Sequence, residues 1–110
     1  MQAVVRSGMD DFGPRQLAAL HAQTQENWYQ FFKAELLTCF NAIDFGNTEF
    51  DLGSREVAVS EIHAAEKCLG TIARFLPRLD SEERRDEIGA ALPRLREGVK
   101  ELRNKLGFLT

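Results

Sequence analysis

Two apolar stripes constrain this chain more than any other feature. Ala58, Ile62, Ala65, Leu69, Ile72, Leu76 and Leu79 are spaced 4, 3, 4, 3, 4, 3, and Ile88, Leu92, Leu95, Val99, Leu102, Leu106 and Leu109 repeat that spacing. A mean period of 3.5 puts every member of a stripe on one face of an α-helix and does not suit a strand, whose faces alternate every second residue. Two such helices in succession bury their stripes by packing lengthwise, at crossing angles of about 20°.

Local signals bound the helices. Pro14 suits the first turn of a helix, where its missing N–H has no partner to lose. A first helix is expected over about 14–45, closed by Gly46 as a C′ residue with Asn47 behind it. The longest break is then 46–53, and Ser54 is a good N-cap for a second helix over about 55–79, which Pro77 ends or bends. Asp80, with Glu83 three residues on, reads as a capping box for a third helix over about 81–107. Pro93 lies inside that pattern behind Gly89, so a kink or a division of the third helix is expected there. The fold class that follows is all-α: one domain over 1–110, an up-down-up antiparallel three-helix bundle with long helices and coiled-coil-like packing. Residues 1–13 read as a flexible leader.

The first helix is apolar over an unusually wide arc. Setting Trp28 at 0° and advancing 100° per residue, Phe31, Cys39, Phe32, Ile43, Leu36, Tyr29 and Phe40 span about 180°, against the roughly 100° that a surface helix needs. Either this helix touches two neighbours in its own bundle, or part of the arc is open to another chain. Exposed aromatic surface on a helix is a typical partner site. Trp28, Tyr29, Phe31, Phe32 and Phe40 are therefore the candidate partner-interface residues. The polar first half of this helix, through His21, Gln23 and Gln30, is expected to project past the bundle.

Bulk charge narrows the partners. The formal net charge is −3, yet residues 1–69 carry 5 Lys+Arg against 10 Asp+Glu while residues 70–110 carry 9 against 7. The whole-chain balance argues against a nucleic-acid protein, which usually has a basic face. Arg94, Arg96, Lys100, Arg103 and Lys105 remain a possible basic stretch, but Glu97 and Glu101 interleave with them at the 3- and 4-residue steps of a solvated helix surface. No run reaches the roughly 18 apolar residues of a membrane span. A cytoplasmic location is expected.

Chemistry has little support. The two Asp-Phe-Gly triplets, 11–13 and 44–46, occur without any other kinase feature. Asp44, Glu49 and Asp51 miss the alternating acids of a calcium loop. His63 and Glu66 reverse the Glu-x-x-His order of di-iron bundles and lack a second set. Cys39 and Cys68 fall on apolar stripes as inert thiols, and a loop at 46–53 offsets them by about 12 Å along the bundle, too far for a disulfide. The same loop puts His63 level with about Leu36, where Glu35 is within reach as a buried, register-fixing partner. No catalytic residue, cofactor or metal ligand is assigned. The reading is a non-enzymatic interaction module (assembly subunit, chaperone, inhibitor or adaptor), with a homodimer through the first helix the simplest partner. Alternatives are a nucleic-acid-associated regulator using the basic stretch, or a small-ligand or metal binder in the bundle core.

Overall fold

The computed structural model describes residues 13–107, and every regular element among them is helical. Helix α1 spans Pro14–Asp51, α2 spans Arg55–Phe75, a single 3-10 turn follows at Leu76–Arg78, and α3 spans Glu82–Lys105. The three helices run up, down and up as an all-α bundle about 66 Å long and 31 by 21 Å across. Expectations for residues 1–12, and for Leu109 on the second stripe, fall outside the described residues.

The heptad stripes make the core. Ala58, Ile62, Ala65, Leu69, Ile72 and Leu79 from the first stripe are buried, as are Ile88, Leu92, Leu95, Val99, Leu102 and Leu106 from the second. From α1 they receive Phe32, Cys39, Ala42 and Ile43, with Trp28, Tyr29, Leu36, Phe40 and Phe50 half-buried around them. The core holds no buried polar side chain among the described residues, so nothing in it depends on a polar network.

The ends of α1 follow two different rules. At its start Pro14 occupies the first turn, and the Gln16 side chain accepts the Gly13 N–H at 3.0 Å. At its end the helix does not stop at Gly46. It continues one and a half turns to Asp51, and Gly53, at φ +86°, is the left-handed C′ residue. The Gly53 N–H donates to Phe50 O at 3.0 Å and the Ser54 N–H to Glu49 O at 2.7 Å, the paired bonds of a Schellman motif. The connection to α2 is therefore Leu52–Ser54 rather than 46–53.

Gly46 serves packing instead. A Cβ there would lie 2.7 Å from Leu102 Cδ2 and 3.3 Å from Glu61 Cβ. With Ala58 and Ala65 fully buried opposite, these small residues let α1 and α2 approach closely. The α1–α2 contact is the most extensive in the bundle.

Two expectations for α3 are corrected. Its N-cap is Ser81, whose Oγ accepts the Arg84 N–H at 3.2 Å, and not Asp80. Asp80 lies one residue too early, and its carboxylate meets His21 of α1 at 2.6 Å. Pro93 does not divide the helix, which is continuous from Glu82 to Lys105. The carbonyl that a Pro at 93 crowds and leaves unpaired belongs to Gly89. Leu92 and Leu95 on either side remain buried in the core and hold the helix through that turn.

Gly46 and Gly70 make opposite predictions for the same substitution. Gly46→Ala adds a methyl that the fully buried Leu102 must make room for, at a cost of about 1–3 kcal/mol that exceeds the roughly 1 kcal/mol gained in helix propensity. Gly70 is helical and exposed, with nothing within 4 Å of an added Cβ, so Gly70→Ala stabilises by about 0.5–1 kcal/mol. Urea unfolding of the two variants should move the midpoint in opposite directions.

Candidate protein-interaction face

The register of α1 against α2 decides which side chains reach the surface together. Cys39 Sγ donates to Ala65 O at 3.6 Å, Trp28 stacks on Phe75 with centroids 5.8 Å apart, and Gly46 meets Ala58 and Glu61. This register is displaced by about five residues from the one a 46–53 loop implies, because α1 runs on to Asp51. His63 is then level with about Asn41 and lies exposed, so the expected Glu35–His63 pair does not form. Glu35 faces Cys68 instead.

Burial is the main reason both thiols are held above their ordinary range, Cys39 to about 11, with the Glu35 carboxylate adding to the effect at Cys68. Cys68 lies three residues past the level of Cys39, an axial offset of about 4.5 Å rather than 12 Å. Both cysteines are free.

The five candidate interface residues part company. Phe32 is completely buried inside its own bundle. Trp28 is half-buried between Phe32, at 5.6 Å, and Phe75. Tyr29 points to α3, where its hydroxyl donates to the Glu87 carboxylate at 2.7 Å and Arg84 lies over its ring at 4.1 Å. The Glu87 carboxylate keeps the phenol protonated and raises its pKa. Phe40 also turns to α3, beneath Arg94. Phe31 alone of the five stands in the open, 39% exposed, edge-on to Trp28 at 5.8 Å.

Open apolar surface lies elsewhere on α1. Around the helix, α2 lies on the Trp28–Cys39–Gly46 side and α3 on the Tyr29–Phe40–Asn47 side. The side turned away from α3 is left open among the described residues, flanked only by α2, and it carries Leu17, Leu20, Phe31, Phe45 and Leu52. Val57 of α2, 39% exposed, flanks one end of this side and Phe75 the other. Two concavities lie along it. One, of about 330 Å³, is walled by Thr24, Asn27, Trp28, Phe31 and Phe75. The other, of about 430 Å³, is walled by Thr38, Asn41, Ala42, Phe45, Glu61 and Ala64.

The N-terminal turns of α1 pass beyond the α2–α3 connection. Gln25 ties the two together: its Nε2 donates to Arg78 O at 2.9 Å and its Oε1 accepts the Asp80 N–H at 2.8 Å. Before His21 the helix extends clear of this link, with Leu17 55% and Leu20 50% exposed.

Other sites offer less. Arg103 pairs with Glu66 at 2.9 Å, Lys105 donates to Asn47 Oδ1 at 2.9 Å, and Arg94 covers Phe40, so three of the five cations of the basic stretch serve the bundle itself. Among the described residues no three His, Cys, Asp or Glu side chains converge to hold a metal ion, and no helix is long and apolar enough to cross a membrane. Comparison with protein-family models, with curated proteins and with solved structures finds no match.

The raised thiols predict low reactivity. A thiol with a pKa of about 11 is ionised in only about one molecule in a thousand at pH 8. Cys39 should therefore resist alkylation until the protein unfolds, while half-buried Cys68 reacts first and slowly. Because the native state holds these protons more tightly than the unfolded chain, stability should fall as pH rises from about 9 toward 11. Urea midpoints across that range, in the native sequence and in Cys39→Ala, would test it.

Proposed function

We propose that this protein is a non-enzymatic helical interaction module that works by offering the open side of α1 to another protein chain. The observation that carries the reading is the contrast between two exposed helix surfaces. The exposed positions of α3 are mostly charged, among them Glu82, Glu83, Asp86, Arg96, Glu97 and Lys100, as a solvated face should be. The open side of α1 instead displays Leu17, Leu20, Phe31, Phe45 and Leu52, together with the apolar cleft at Trp28 and Phe75. Apolar patches of this extent on a small domain mark binding surfaces.

The chemistry of the remaining groups supports the same reading. Both thiols are held protonated, His63 stands exposed, and the core is packed with heptad side chains. The concavities beside α1 are open grooves, suited to side chains from a partner helix. A partner laid into them is held mainly by apolar burial, so its affinity should vary little between 50 and 200 mM salt, where phosphate contacts would weaken it steeply.

Photo-crosslinking in cells tests the reading. A benzoylphenylalanine at Phe31 should yield a protein–protein adduct, while the same group at Ala90, exposed on α3, should not. Phe45→Glu in the Phe31-labelled protein should reduce the adduct at least tenfold. Equal crosslinking at the two positions, or none at Phe31, would overturn the proposal.

A further inference from the structure

The open side of α1 has a repeat of its own. Leu17, Thr24, Phe31, Thr38, Phe45 and Leu52 recur at every seventh position. Between them runs a second row at the same interval, Leu20, Asn27, Ala34, Asn41 and Thr48. All eleven are exposed, and none is charged. This is an a/d seam, distinct from the face of α1 that enters the core, and it runs the whole length of the helix. The charged residues of α1, such as Lys33, Asp44 and Glu49, all fall outside both rows.

Resting on the reading above, we infer that the occupant of this seam is a second copy of the same chain, with its α1 antiparallel to the first and the two-fold axis near Ala34. Three features identify it. A strictly seven-residue, uncharged seam matches another of the same period, and this chain supplies one. The seam also reads similarly from either end: leucine at 17 and at 52, asparagine at 27 and at 41, and Ala34 at the middle. In an antiparallel pair the leucine ends overlap, and Asn27 comes level with the other copy's Asn41, where a buried amide fixes register.

The third feature is charge. Residues 13–33 carry Arg15 and Lys33 against Glu26, a net +1, whereas residues 34–52 carry Glu35, Asp44, Glu49 and Asp51, a net −4. A parallel pair sets four acids beside four acids and aligns the helix dipoles. The antiparallel pair sets the acidic half against the faintly basic half and opposes the dipoles. Size is adequate. The strip from Leu17 to Leu52 is about 52 Å long and about 10 Å wide, on the order of 500 Å². The flank of α2, through Val57 and Phe75, widens it toward the roughly 800 Å² per partner of a stable interface. The pairing also covers the projecting turns before His21, where Leu17 and Leu20 have no packing partner among the described residues.

Pulsed electron–electron distance measurement on the full chain, with a nitroxide at Gln16 after Cys39→Ala and Cys68→Ala, tests both partner and orientation. The expected result is a dimer by native mass spectrometry at micromolar concentration, with the two labels about 50 Å apart. Thr38→Glu changes an exposed residue at the middle of the seam, so folding should be unaffected, and it should weaken the dimer at least a hundredfold with helical circular dichroism unchanged. Labels within about 20 Å would overturn the antiparallel arrangement, and a dimer indifferent to Thr38→Glu would place the interface elsewhere. A chain that stays monomeric to about 200 µM overturns self-pairing. In that case a Phe31 crosslink to a different protein leaves the interaction module standing, and no crosslink at all removes both.

Discussion

The close approach of α1 and α2 at Gly46, Ala58 and Ala65 is the contact on which the rest of the structure depends. A helix pair separated by small residues has little freedom to slide, because each larger side chain nearby must drop into a matching gap. Gly46 under Leu102 and Cys39 beside the Ala65 carbonyl fix that setting. Once it is fixed, Phe32 is carried into the core, Trp28 is brought onto Phe75, and Gln25 reaches the connection before α3. The third helix then closes the bundle through its own stripe, with Tyr29–Glu87 and Glu26–Arg84 as polar links at the rim.

The same setting explains why α1 has two apolar faces. It is 38 residues long, while α2 has 21 and α3 has 24, so neither partner covers its full length. Its neighbours also occupy adjacent sides rather than opposite ones. One stripe of α1 is spent on the bundle, and a second, turned about 140° away at 100° per residue, is left outward. Nearly all of the aromatic arc is internal packing, with Phe31 at its outer edge, and most of the outward stripe lies beyond it.

How much of this was legible in the sequence depends on whether the signal was periodic or local. The stripes of α2 and α3 are regular, and the buried residues are those the spacing selects. The end of α1 was misplaced because Gly46-Asn47 looks like a helix stop, and a glycine required for close packing has the same letter as one required for positive φ. Gly53 is the one with positive φ, and the error of six residues moved every facing pair, Glu35 and His63 among them. Ser81 and Asp80 are both good caps side by side, so only the bond to Arg84 N–H distinguishes them. In sequence, Trp28, Tyr29, Phe31, Phe32 and Phe40 form one aromatic cluster. Aromatic rings of α1 sort between core and surface by angle, and Phe31 and Phe32, neighbours in sequence, end on opposite sides of that division. Leu17, Phe45 and Leu52 carry the outward stripe, which no aromatic cluster marks and only their seven-residue spacing signals.

The turn at Leu52–Ser54 also sets the order in which surfaces become available as the chain is made. Helical hairpins joined by three residues have contacts that are local along the chain, and such folds form in microseconds to milliseconds once their parts exist. The parts do not exist together during synthesis. At about 5–20 residues per second, α1 is complete about 1–5 s before the last of α2 has been added. Through that interval the inward stripe of Phe32, Cys39 and Ile43 is as open as the outward one. Neighbouring nascent chains on one messenger would meet each other with both stripes uncovered. Discrimination between them then rests on speed: the hairpin closes over the inward stripe within its own chain, and the outward stripe is what remains uncovered.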